Sequence, residues 1–229
     1  MTYYFKILVL SFFVPFIFSF HPKVNYFPNF KKLIISLPLT SLPFIVWDVI
    51  FTNIQVWGFN EEYHSSIYIY NLPLEEVLFF IFIPFCCMYT YHVIEKYEID
   101  FFKNANLNKS DLYIAIILLL ISFFNIDKYY TFFCLSITAA LLILNYFIFN
   151  KINHNYYYST FLLLMLPFVI VNGALTGLFF DQTVVWYNPD QNLGIRFLTI
   201  PLEDFIYAHL LIFSNIIVYK YIPNSSLYK

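Results

Sequence analysis

Five carboxyl side chains stand in surroundings so apolar that they call for a reason: Glu75 and Glu76 in "NLPLEEVLFF" (71–80), Glu203 and Asp204 in "TIPLEDFIY" (199–207), and Asp48 in "WDVIFTN" (47–53). An acid within or near a hydrocarbon layer is costly, so one that is kept there usually faces the interior of a helix bundle and marks function. The chemistry such groups offer is proton transfer. Crowded together and cut off from water, a carboxyl holds its proton more readily and can hand it to a substrate near neutral pH. A plainer reading exists, because proline at a helix start with an acid in the first turn suits any helix dipole. Two copies of Pro-Leu-Glu, at Pro73 and Pro201, weigh against it.

The elements that position these acids follow from composition. The 229 residues are 61% hydrophobic, 24% aromatic and only 11% charged, with a mean hydropathy of +0.69, which excludes an ordinary water-soluble domain. A helix needs about 20 apolar residues to cross a hydrocarbon core. Seven stretches qualify: 2–20, 33–51, 73–94, 111–126, 129–150, 158–180 and 201–221. The fold class expected is an all-α integral membrane protein with seven transmembrane helices. Lys6 ahead of the first stretch resembles a secretory leader, but no small-residue cleavage site precedes His21-Pro22, so the helix is expected to be retained.

Nine lysines (Lys23, Lys31, Lys32, Lys96, Lys103, Lys109, Lys151, Lys220, Lys229) fall on one side of that arrangement, and only Lys6, Lys128 and Arg196 on the other. The positive-inside rule then puts the N-terminus outside and the C-terminus in the cytoplasm, in what we read as a bacterial cytoplasmic membrane. Both Pro-Leu-Glu motifs lie on the outer side.

An internal repeat sharpens this reading. "WDVIFTNIQVWGFN" (47–60) and "NGALTGLFFDQTVVWYN" (172–188) each place Asp48 or Asn172 one helical turn before Thr52 or Thr176, followed by Trp57 or Trp186. The separation from Trp57 to Pro73 exceeds that from Trp186 to Pro201 by a single position. The division expected is a first repeat at 1–94, a linker with the fourth helix at 95–128, and a second repeat at 129–229. Three helices reverse the chain's direction, so two fused copies lie parallel only if another span intervenes; the fourth helix supplies it. A pseudo-twofold axis along the membrane normal follows.

Neighbouring residues of a helix point about 100° apart, so one acid of each pair suffices for a shared cavity. The leading Glu75 and Glu203 are expected to face it and transfer protons. Glu76 and Asp204 are their tuning partners or ordinary first-turn acids. Asp48 and Asn172 belong at the same level.

Other features carry less. Cys86, Cys87 and Cys134 lack the spacing of a zinc site or a disulfide framework. His92 and His209 follow no Glu-x-x-His pattern and read as interior polar residues, so no metal is expected. Gly173 and Gly177 form a GxxxG suited to close helix approach. With four glycines and no GxGxxG, no dinucleotide cofactor is expected. Arg196, the only arginine, is placed to pair with Glu203 or Asp204 or to reach out to the interface. The net charge of −2 carries no nucleic-acid signal.

The runs "SFHPK", "WDVIFTNIQVWGFN", "LPLEEVLFF", "NGALTG", "WYN" and "IPLEDFIY" together resemble the membrane-integral lycopene cyclases, of heterodimeric and fused types, with fused two-repeat versions in Bacteroidetes. The resemblance spans nearly the whole chain. It implies a cofactor-free, redox-neutral enzyme of carotenoid biosynthesis, an isomerase (intramolecular lyase) of the lycopene β-cyclase type, and carries its Pro-Leu-Glu carboxylates to Glu75, Glu76, Glu203 and Asp204. A carboxylic acid would protonate an acyclic ψ end of lycopene or a related C40 carotenoid drawn from the bilayer, a ring would close, and a base would remove a proton. Trp47, Trp57, Trp186 and Tyr207, with Asn172, are the expected walls of the substrate cavity, offering aromatic faces to a cation. Membrane lipids are the other expected contact, and no obligatory protein partner is. Two rival readings are a proton-coupled carrier, with acids near the midplane and helices broken at Pro43, Pro84 or Pro167, and a carotenoid prenyltransferase, which would need a diphosphate-binding cluster that the sequence does not show.

Overall fold

The computed structural model describes residues 1–223 except 104, 106, 108, 150 and 180–182; Lys229, counted in the charge asymmetry above, lies outside them. The described chain is mostly helical. Its helices are α1 (Tyr3–Phe18), α2 (Phe30–Asn53), α3 (Leu74–Lys96), α4 (Ser110–Phe123), α5 (Tyr129–Leu144, continued by a π-helical turn Asn145–Phe149), α6 (His154–Leu175) and α7 (Leu202–Tyr221). Five are long and apolar enough to cross a membrane, while α1 and α4 are shorter apolar helices of 16 and 14 residues.

The packing is that of a bundle whose solvent is lipid. Along α2, Ser36, Thr40 and Ser41 are buried while Ile34, Ile35, Leu39 and Leu42 are exposed. In water that arrangement would be reversed; in a bilayer the outward apolar face costs nothing and small polar residues let helices approach. The Ser41 hydroxyl donates to the Phe80 carbonyl and ties α2 to α3. Pro43, Pro84 and Pro167 lie within helices that run on past them. At the centre, α3 packs against α1, α2, α6 and α7, and α7 in turn against α2 and α5, so both motif-bearing helices are interior.

α6 departs from its expected bounds. It starts at His154 because Asn153 caps it, accepting from the Tyr156 N–H. It ends at Leu175 because Gly177, at a φ of +92°, turns the chain and the Leu178 N–H closes back on the Gly173 carbonyl at 2.7 Å. The GxxxG is therefore part of a helix terminus. A side chain at Gly173 would meet Leu178 of its own turn and not a neighbouring helix.

Short strands cover the end of the bundle where α3 and α7 begin. They are β1 (Trp57–Phe59), β2 (Tyr68–Ile69), β3 (Leu72–Pro73), β4 (Val185–Tyr187), β5 (Arg196–Phe197) and β6 (Ile200–Pro201). β2 pairs antiparallel with β3, and β5 with β6, in hairpins whose tight turns carry Tyr70 and Leu198 at φ of +60° and +57°. The second hairpin repeats the first at one constant offset along the chain, which carries Tyr68 to Arg196, Tyr70 to Leu198 and Pro73 to Pro201. β1 pairs with β4 antiparallel, and the register opposes Gly58 to Trp186. The same offset separates those two, so Trp186 matches Gly58 and not Trp57, against the alignment expected from sequence. The cause is a short insertion between Thr176 and Trp186, since Asn172 and Thr176 follow Asp48 and Thr52 at a smaller offset.

Gly58 is required by that contact, since a Cβ there would run into the Trp186 indole. Gly58→Val is expected to destabilise the protein by about 1–3 kcal/mol, the usual cost of overpacking. Thermal unfolding in detergent checks it, and an unchanged melting temperature would mean that the half-exposed Trp186 swings clear.

Candidate active site

Four helix starts meet at one end of the bundle. The Tyr4 hydroxyl, at the start of α1, donates to Glu76 Oε2 at 2.5 Å. The Tyr130 hydroxyl, at the start of α5, donates to Asp204 Oδ1 at 2.6 Å. α1, α3, α5 and α7 thus begin on the same side, and between the far end of α3 and the start of α5 the chain must travel back. α4, about 21 Å long at 1.5 Å per residue, makes that return and packs along α5.

The two acids of each pair do different things. Glu75 accepts from Thr2 Oγ1 at 2.7 Å, the Ser65 N–H at 2.7 Å and Ser65 Oγ at 2.8 Å. Glu203 accepts from Thr131 Oγ1 at 2.6 Å and the Leu193 N–H at 2.7 Å. Ser65 and Leu193 are equivalent positions, since each precedes its glutamate by the same stretch of chain. The leading glutamates therefore fasten the loops ahead of α3 and α7 to the bundle by satisfying backbone donors that those loops would otherwise leave bare. Neither lines the cavity.

That cavity, of about 470 Å³, is bordered by Asp48, Glu76, Asn172 and Asp204. It lies within the range of ordinary ligand pockets. The expectation that Glu75 and Glu203 face inward is thus reversed: the second acid of each pair does so. Asp48, buried near the end of α2, accepts from Trp57 Nε1 at 2.5 Å and Thr52 Oγ1 at 3.2 Å. Its other oxygen, Oδ2, has no N–H or O–H donor among the described residues, and the carboxyl of Glu76 lies beside it in the same cavity. Asp204 is saturated: Tyr130, Asn172 Nδ2 at 2.6 Å and the Tyr187 hydroxyl at 2.9 Å all donate to it. Tyr187 sits on β4, outside the helices, and burial and the neighbouring Asp204 push its phenol well above the usual tyrosine range. It stays a donor at any ordinary pH.

The remaining walls are apolar and largely aromatic, including Trp57, Phe59, Phe79, Phe80, Phe168 and Tyr207. Trp57 and Tyr207 are where the sequence places them. Trp47 stands behind Tyr207, ring centroids 5.2 Å apart, and Trp186 covers Gly58 at the loop surface. The lining descends α3 from Glu76 to Thr90, about 21 Å. It also reaches the outside of the bundle at Leu10 of α1 and Ile170 of α6, which are 73% and 51% exposed. The cavity therefore opens sideways, between α1 and α6. Between α2 and α5, Phe51 meets Phe133 with ring centroids 5.8 Å apart.

Arg196 donates to the Thr199 carbonyl at 2.6 Å and lies 5.8 Å over the Tyr187 ring, so it reaches the acids only through that tyrosine. His92 meets the Val24 carbonyl and His209 the Tyr157 hydroxyl. Tyr4, Tyr130 and Tyr187 are missed by sequence reasoning. The available signal is that Tyr4 and Tyr130 are each the second residue of an apolar helix.

A family model described as lycopene cyclase matches residues 1–94 and 127–222. The unmatched stretch between them contains α4. No curated protein and no solved structure matches the chain.

Proposed function

Given that the chain belongs to the lycopene cyclase family, we propose that it closes an acyclic ψ end of lycopene, or of a related C40 carotenoid, into a β-ionone ring. The observation that carries this reading is the convergence of three buried carboxyls, Asp48, Glu76 and Asp204, from both parts of the chain on one apolar, aromatic-walled cavity. Protonation at C2 of the ψ end leaves a tertiary cation at C1. The 5,6 double bond attacks it, the C1–C6 bond forms, and the charge moves to C5. Loss of the proton from C6 leaves a C5–C6 double bond, the β ring. The reaction is an isomerisation with one proton gained and one lost. Its cations survive only where water is excluded, and ring faces such as those of Trp57, Phe79 and Tyr207 favour them.

The side opening between α1 and α6 suits a substrate that dissolves only in the bilayer. In this reading all seven helices cross the membrane, the two parts lie parallel about a local twofold axis along its normal, and the acids lie toward the outer face, with the N-terminus outside and the C-terminus inside. The positions of the acids favour this over a proton-coupled carrier, since Glu76 and Asp204 occupy first turns, Asp48 lies within two turns of its helix end, and the proline-containing helices are unbroken.

The direct test is expression in a bacterium engineered to accumulate lycopene, followed by pigment analysis. Cyclic product is expected. Unchanged lycopene, with the protein shown to be in the membrane, would overturn the proposal.

A further inference from the structure

The two sides of the cavity are built on one plan, and the residues at which they differ bear on the direction of proton flow. Asn172 stands one helical turn before Thr176, as Asp48 stands one turn before Thr52. Each sits beside the inward acid of the following motif-bearing helix: Asn172 donates to Asp204, and Asp48, with its Oδ2 unmet by any donor among the described residues, lies beside the Glu76 carboxyl in the same cavity. An amide always carries the N–H it donates. A carboxylate has acceptors only, so the equivalent bond between Asp48 and Glu76 forms only while one of the two holds a proton. The donor count agrees. Around Asp48 and Glu76, Tyr4, Trp57 and Thr52 reach one oxygen of each acid, and Asp48 Oδ2 has none of them. Around Asp204 both oxygens are taken, by Tyr130 on one and by Asn172 and Tyr187 on the other. Three O–H or N–H donors with no proton to place is the environment of a carboxylate.

We propose, resting on the lycopene cyclase reading, that the Asp48–Glu76 pair is the acid that begins ring closure and Asp204 the base that ends it, with Asn172, Tyr130 and Tyr187 positioning residues that hold the base. The pair gives its proton to C2 and is left with a carboxylate in place of the shared proton. The C1–C6 bond forms from the electrons of the 5,6 double bond. Asp204 then takes the proton from C6, whose bonding electrons become the new C5–C6 π bond. Between rings Asp204 loses its proton to solvent and the pair regains one from it, so that no net proton is consumed. No oxidant, reductant or co-reactant enters.

The assignment is tested by deuterium. Membranes containing the full chain are supplied with lycopene in D2O, and product and recovered substrate are analysed by mass spectrometry. The wild type is expected to place one deuterium in each ring. Asp48→Asn, which reproduces the Asn172 arrangement and should fold, makes Glu76 a permanent acceptor. It is expected to lose about 100-fold or more in ring formation, the scale of general-acid catalysis, and to leave lycopene unlabelled. Asp204→Asn is expected to lose ring formation to a similar degree while lycopene gains deuterium at its ends, because protonation continues and reverses. Glu76→Gln serves as a second acid variant if Asp48→Asn fails to accumulate. Labelled lycopene with Asp48→Asn, no exchange with a membrane-inserted Asp204→Asn, or full cyclisation by either would overturn the assignment. A wild type that forms no ring would instead remove the cyclase reading beneath it.

Discussion

Glu76→Gln is expected to slow ring formation by about 10²–10⁴-fold, the range that a general acid contributes, while Glu75→Gln, one residue earlier, leaves the chemistry running. Glutamine keeps the shape of Glu76 and its carbonyl still accepts from the Tyr4 hydroxyl. What it cannot do is share a transferable proton with Asp48. At position 75 the loss is of another kind. One oxygen of the carboxylate there receives Thr2 and the Ser65 N–H, and the other receives the Ser65 hydroxyl. An amide group turned toward those donors leaves at least one of them unmet, at a cost of about 1–3 kcal/mol. The expected signature is a lower unfolding temperature with cyclisation retained below it. Pigment conversion, normalised to the amount of protein in the membrane, reads the first effect and thermal unfolding in detergent the second. Loss of chemistry at Glu75 with retention at Glu76 would return the proton-transfer role to the leading glutamates.

That contrast marks how far the sequence could be read. The acids themselves, their recurrence, and the matching of Asp48 with Asn172 through Thr52 and Thr176 were legible, because charge in an apolar chain and spacing between unusual residues survive without a structure. Which acid of each pair turns inward was not. On a soluble helix the apolar stripe identifies the buried face; α3 and α7 are apolar nearly all round, and a lipid-facing side looks the same as an interior one. The deciding feature lies in the loops ahead of α3 and α7, where the Ser65 and Leu193 N–H groups each need an acceptor and take the first acid available. The three tyrosines that grip Glu76 and Asp204 were hidden for a different reason. Among 21 tyrosines in the chain none stands out by type, and only their place at the opening of α1 and α5 and on β4 gives them meaning. The match of Trp57 with Trp186 failed through loop length alone, since two tryptophans make a tempting anchor on either side of an insertion.

Cutting the chain between Lys96 and Ser110 is expected to abolish cyclisation by either part alone and to restore it when both are made in one cell. The first part keeps Tyr4, Asp48, Trp57 and Glu76, and the second keeps Tyr130, Asn172, Tyr187 and Asp204. Neither can both give and take a proton. The parts should nonetheless find each other, because the contacts between them do not run through the linker. α2 packs on α7, α3 on α6 and α7, and β1 pairs with β4, so the chain between α3 and α5 supplies direction and proximity and not the interface. α4 must stay with the second part. It begins on the side where α3 ends and so lets α5 enter with Tyr130 on the side of Glu76. A second part that starts at α5 has no helix ahead of it to set that orientation and is expected to give much less product. Measured as lycopene conversion with both parts confirmed in the membrane, cyclisation by one part alone would show that the site is complete within it. Failure of the paired parts would show that α4 does more than reverse the chain.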